Sequence, residues 1–272
     1  MASAGAVTTR SNRSGQPETD MSSYTYLYTD ADGETRIDNP HIGFVDRGIG
    51  ATPIPAVSVS LVRIPGGASA GLQVTPFRQL GVVLDGVVEI LPSDGEPVLA
   101  SLGTTILAED LTGRGHGYGA RSTDRLLLLV RLADAQDTDV LPTAPAAASS
   151  DETLRLPRIV ATADGGSSFD EFELPVSSGL DGAHEIPIAC AAFARLPAGA
   201  FADWHPSARR RLVVTLEGAA DLVTTDGSVR HAIPGSVMML DDVTGKGHQT
   251  FVHAQAERFM LLLTLPDEDP GR

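Results

Sequence analysis

The sequence predicts an all-β protein, and three observations predict it. From Tyr24 onward, short apolar runs are broken by Gly, Pro and Asp, which is the punctuation of strands and turns. No stretch sustains a 3.6-residue apolar period. The second half of the chain also falls on the first at an offset of 132 positions (164 − 32), without a gap from Asp32 to His116. Self-similarity at that spacing means two copies of one module.

Taken in order, residues 1–22 are Ser, Thr, Gly and charge with hardly an apolar anchor, so a disordered tail is expected. Met21 is an alternative start. Residues 23–132 form the first module and residues 153–267 the second. Between them, 133–152 holds Pro142, Pro145 and an Ala/Ser-rich stretch with little that could pack, which reads as a linker. The copies share Asp32-Gly33 with Asp164-Gly165, Pro55 with Pro187, Arg63 with Arg195, Gly67 with Gly199, Arg78 with Arg210 and Gly86 with Gly218. Asp94-Gly95 meets Asp226-Gly227, Gly103 meets Gly235, and Asp110 to His116 meets Asp242 to His248. A one-residue slip then aligns Arg125–Leu132 with Arg258–Leu265.

In the second module the expected strands are Ile159–Thr162, Ile188–Arg195, Leu212–Leu216, Ala219–Thr224, Ser228–Ala232, Ser236–Leu240 and Arg258–Thr264. Asp226-Gly227 and Pro234-Gly235 turn them into hairpins. A module of this size with so many strands covers its edges by becoming a sandwich or a closed barrel.

Composition narrows the function classes. The chain carries 20 basic and 35 acidic residues, a formal net charge of −15, with a pI near 4.7. Nucleic acid and anionic membranes both require a basic face, so the expected partner is a small molecule, with neither nucleic acid nor membrane. No signal peptide or apolar span is visible, and a cytoplasmic location is expected. Cys190, the single cysteine, cannot close an internal disulfide, so no oxidising compartment is implied. Its apolar flanks read as a buried strand.

The densest group of reactive side chains is Trp204-His205-Pro206-Ser207-Ala208-Arg209-Arg210-Arg211. Five residues separate Gly199 from His205, Ser207 follows two positions after that histidine, Arg211 four positions after Ser207, and six residues separate Arg211 from Gly218. Gly245-Lys246-Gly247 precedes His248. In this frame the chain resembles the cupin superfamily, small jelly-roll barrels whose first motif runs Gly, His-x-His, Glu, Gly and whose second ends on a histidine. The resemblance covers nearly everything outside tail and linker and implies two tandem cupin-type jelly-roll barrels, a bicupin. It implies a metal held by three histidines and a glutamate, yet Ser207 and Arg211 stand at two of those four places. In the first copy they read Gln73, Thr75, Gln79 and His116, so no metal is expected in the N-terminal barrel.

Two histidines make a leaky metal site, and Asp203 shares strand parity with His205. Asp203, His205 and His248 would then make a face suited to one divalent metal, Fe, Mn, Ni or Zn, in the C-terminal barrel. A competing reading has His248 hydrogen-bonding the glycine turn, since His116 repeats it, and Asp203 sitting in a surface turn. Arg211 points into the barrel, where a ligand carboxylate or phosphate would neutralise it; a solvated or carboxylate-paired arginine is the alternative. Arg210 and Arg78 are expected to pair with Asp242 and Asp110. Lys246 reads as a turn charge rather than a Schiff-base lysine, and His231 and His253 carry slim claims.

Two functions follow. One is a small-molecule enzyme of the cupin type, an isomerase, cyclase, lyase or oxygenase acting on a small organic anion, with His205, His248 and Arg211 as catalytic residues. The other is a non-catalytic ligand-binding or scaffold bicupin. Either a monomer or a homodimer suits both.

Overall fold

The computed structural model describes residues 24–40, 53–133, 152–180 and 183–267. The expected tail and nearly all of the expected linker lie outside the described residues. The protein is all-β, with sheets of jelly-roll type and no helix among the described residues; none is therefore long and apolar enough to cross a membrane.

Ten strands come first: β1 Thr25–Thr29, β2 Thr35–Asp38, β3 Ile54–Ile64, β4 Ala70–Gln73, β5 Gln79–Asp85, β6 Val88–Pro92, β7 Val98–Ala100, β8 Thr105–Glu109, β9 His116–Tyr118 and β10 Arg125–Leu132. Eleven follow: β11 Glu152–Ala161, β12 Ser167–Ser178, β13 Ile186–Pro187, β14 Cys190–Leu196, β15 Phe201–His205, β16 Arg211–Glu217, β17 Ala220–Val223, β18 Val229–Ala232, β19 Val237–Asp241, β20 His248–Val252 and β21 Arg258–Thr264. The sequence reading located β14, β16 to β19 and β21 within a residue or two but set no bounds for β12, β13, β15 and β20. The last two carry the histidines.

A thirteen-stranded sheet runs in the order β12-β11-β19-β16-β21-β14-β3-β10-β5-β8-β1-β2, with β13 on β3. Two four-stranded sheets, β4-β9-β6-β7 and β15-β20-β17-β18, lie off it. Strands related by the repeat take matching places. β5 lies between β8 and β10, and β16 lies between β19 and β21. β3 joins the halves by pairing with β14 and β12.

The run Leu212–Leu216 shows why these strands are continuous apolar segments. Both faces are covered. Leu212, Val214 and Leu216 enter a core cluster shared with Leu61, Val82 and Leu128 of the first half, whereas Val213 packs with Ala194 and Met260 on the other face. That second face looks into the space enclosed by β15, β17 and β20.

Candidate functional site

The C-terminal half encloses a cavity of about 170 Å³. Its walls are apolar side chains, among them Leu196, Val213, Leu222, Met238 and Met260. Its polar lining comprises His205, Ser207, Arg211, His248, Thr250 and Arg258. The two arginines enter from opposite ends. In the antiparallel pair β16/β21, Arg211 faces Thr264 while Glu217 faces Phe259.

At the Arg211 end, β15 and β20 place His205 directly across from His248, with ring centroids 4.6 Å apart at 50°. Gly247 makes this crossing close. It has φ +74°, and a Cβ there would stand 2.0 Å from the His205 carbonyl oxygen, so only glycine fits without strain.

The hydrogen bonds fix both imidazoles. His205 Nδ1 lies 2.7 Å from the Asp203 carbonyl oxygen; a carbonyl can only accept, so Nδ1 carries the proton and Nε2 keeps its lone pair. His248, 2% exposed, bonds through Nδ1 to Asp242 Oδ2 at 2.7 Å. Asp242 is fully buried and its Oδ1 has no hydrogen-bond partner.

The first half has the same histidine–aspartate pair, His116 Nδ1 to Asp110 Oδ2 at 2.7 Å, but there Thr75 and Thr35 hydroxyls also donate to Asp110. Their counterparts are diverted, Ser207 to the Arg209 carbonyl and Ser167 to the Gly247 carbonyl. Asp242 is thus left with His248 as its side-chain donor. The sequence reading missed Asp242 as part of this site because it assigned the residue to Arg210.

Several expectations are corrected. The face of Asp203, His205 and His248 is not assembled. β15 and β20 slip register between Ala202 and His205, and this bulge breaks the alternation that would have put Asp203 beside His205. The Asp203 carboxylate is exposed and accepts from Gln249 Nε2 and the Trp204 amide, both at 2.8 Å. Those donors, Gln249 foremost, hold its pKa below the ordinary value.

Arg210 pairs with Asp241 at 2.9 Å, and Arg78 pairs with Glu109. In each half the partner is the strand residue before the one expected, because the later aspartate turns inward to its histidine. Cys190 is only half-buried. Lys246 sits over the Trp204 ring, 4.3 Å from its centroid.

Among the described residues, Arg211 has no carboxylate partner; its one hydrogen bond is a long contact, 3.4 Å, from Nε to the Arg209 carbonyl. Burial, together with the nearby Arg209 charge, lowers its pKa. A divalent metal therefore meets two imidazoles, a hydroxyl already engaged, and a guanidinium where the resemblance implies a glutamate. That donor set does not fit the expected centre.

Metal-type donors gather elsewhere. Asp221, His231 and His253 bring ligating atoms within 4.8 Å of one another. Asp221 Oδ1 accepts from His231 Nδ1 at 2.6 Å and His253 Nε2 at 2.9 Å, and these bonds, His231 first, lower its pKa. Asp221 alternates along β17 with Ala220 and Leu222, and Leu222 lines the cavity, so the cluster lies on the opposite, outer face. In the first half Glu89, Leu99 and Arg121 occupy these places, with a 3.8 Å ion pair between Arg121 and Glu89. Pairing of β17 with β18 across the Asp226-Gly227 turn was the signal that could have found it.

The first half has its own cavity of about 490 Å³, lined by Gln73, Thr75, Gln79, His116 and Arg131, with Glu185 from the second half. Amides replace His205 and Arg211 there.

No family model and no curated protein matches this chain. Solved structures similar to it include a cupin 2 conserved barrel domain protein from Leptotrichia buccalis, 13% identical, covering 84% of this chain and 92% of that one, TM-score 0.40. A putative glyoxylate induced protein from Pseudomonas aeruginosa is 12% identical, covering 83% and 94%, TM-score 0.37. A salicylate 1,2-dioxygenase from Pseudaminobacter salicylatoxidans is 11% identical, covering 91% and 78%, TM-score 0.37. At these identities the likeness is one of fold alone.

Proposed function

We propose that the chain is a bicupin with degenerate metal motifs, its modules spanning 23–132 and 153–267 about a linker at 133–152. In this reading the second module is an enzyme acting by general acid–base chemistry on a small organic anion, of the isomerase, cyclase or lyase type. The observation that carries it is the buried Asp242–His248 pair opposite His205, in a cavity that also holds Arg211. Asp242 fixes the tautomer of His248, so that Nε2 is the basic nitrogen. A proton taken at Nε2 makes an imidazolium beside a carboxylate that has no other side-chain donor, and the charge pair stabilises it. The imidazolium formed at His248 Nε2 then returns that proton to the ligand, while His205, with its own Nδ1 donating to a carbonyl, presents a second Nε2 lone pair that can accept a proton from the ligand. Arg211 holds the anion, and the apolar walls keep water from competing.

The test is solvent-deuterium incorporation into a panel of small 2-oxo acids and other enolisable carboxylates, followed by proton NMR. Exchange by the wild-type protein that falls at least tenfold in His248→Gln and Asp242→Asn, with binding retained, is the expected result. Binding without exchange across the panel sinks catalysis and leaves the non-catalytic ligand-binding alternative. Metal analysis of the same preparations, with His205→Ala and His231→Ala beside them, separates a third case. Stoichiometric metal lost with His205 replaces the acid–base reading by a metal centre, whereas metal lost only with His231 belongs to the outer cluster.

A further inference from the structure

The other end of the same cavity holds a charge that the described residues leave uncompensated. Arg258 opens β21, and with Met260 and Leu262 it lines the cavity, so its side chain shares their inward face. It is 4% exposed. Its single hydrogen bond runs from one terminal nitrogen to Thr215 Oγ1 at 2.9 Å, and Nε has no acceptor. Among the described residues no carboxylate faces it. Burial alone lowers its pKa, to about 10, a value at which it stays charged at neutral pH. An isolated charge in an apolar cavity is among the costliest things a fold can contain.

The first half shows what a structural arginine at this place looks like. Arg125 also opens its strand and is fully buried, but it donates to three carbonyl oxygens, those of Gly119, Pro65 and Ala68, each at 2.9 Å. Its guanidinium lies over the Tyr118 ring, 5.7 Å from the centroid. In the second half Thr250 takes the register position of Tyr118, opposite Ala202 as Tyr118 is opposite Ala70. The ring is gone, and Thr250 lines open cavity instead.

We propose that Arg258 is a second anion-binding residue and that the ligand is an elongated dianion, an apolar chain with a carboxylate or similar group at each end, held by Arg211 and Arg258. This rests on the reading that Arg211 binds an anion. The six residue-to-residue steps along the strand from Arg258 to Thr264, which faces Arg211, put the two Cα atoms ~20 Å apart at ~3.3 Å per step, and both side chains reach inward from those ends. The walls between carry no charge, so they match a hydrocarbon spacer.

The experiment is calorimetric titration of the full chain with linear α,ω-dicarboxylates from succinate to sebacate, each against the monocarboxylate of equal carbon number. The expected result is one favoured length binding at least tenfold tighter than its monocarboxylate. Arg258→Met should bring the two to equal affinity while leaving the monocarboxylate unchanged, and Arg211→Met should weaken both. No dicarboxylate preference at any length overturns the inference without needing a variant. A preference that survives Arg258→Met overturns it as well. Monocarboxylates that bind through Arg211 with no dicarboxylate advantage leave the proposed function standing and remove only this extension. If neither series binds, both fall.

Discussion

Asp110 and Asp242 occupy the same place in the two halves and differ in their donors. Burial raises the Asp110 pKa, but the bond and charge of His116 and the hydroxyls of Thr75 and Thr35 together outweigh it, so the net shift is downward. A carboxyl depressed in the folded state contributes stability above its unfolded value of ~3.9 and loses it as pH falls through the folded value. Urea unfolding of wild type between pH 5 and pH 2 should therefore show a loss of stability on the acid side of ~4 that is shallower in Asp110→Asn. The two buried arginines give a second contrast at this scale. Arg125→Met strands three carbonyls and should lower stability by about 1–3 kcal/mol or more. Arg258→Met removes an uncompensated charge and should be neutral or raise Tm in the absence of ligand. Thermal unfolding of both variants checks it, and equal losses would contradict the asymmetry.

At the scale of elements, the glycine turn into β20 does the positioning. A Cβ at Gly247 meets the His205 carbonyl and Pro206 nitrogen, and one at Gly115 meets the Gln73 carbonyl at 2.1 Å. Both residues have φ near +74°. Alanine at either should cost about 1–3 kcal/mol in backbone strain. Only Gly247→Ala pushes β15 away from β20, so only it should also abolish carboxylate binding in the C-terminal half. Thermal melts paired with calorimetry distinguish the two.

At the scale of the molecule, the halves share one core. Val59, Leu61, Val82 and Leu128 lie in the same cluster as Leu212, Val214, Leu261 and Leu263, and β3 hydrogen-bonds to β12 and β14. Leu261, fully buried, should cost about 2–5 kcal/mol when cut to alanine. Unfolding should be a single transition in which Trp204 fluorescence, a reporter of the second half alone, coincides with far-UV circular dichroism. Two separated transitions would show that the shared cluster does not couple the halves.

The sequence by itself determined the fold class, because short apolar runs broken by Gly, Pro and Asp act locally and sustain no helical period. It also located β16 and β21, where an apolar run covered on both faces is unmistakable, and it singled out His205, His248 and Arg211. Tertiary structure alone decided which of these meet. A single bulge in β15 turned Asp203 outward, a shift that residue types do not encode since parity depends on register with β20. Asp242 became part of the site only when its strand end turned toward His248. Arg258 looks like a repeat of Arg125 in the sequence, and its difference lies in neighbours far away along the chain: Thr250 in place of a tyrosine, and carbonyls that do not reach it. Charge compensation is a property of the space around a residue, so it appears only once that space is built.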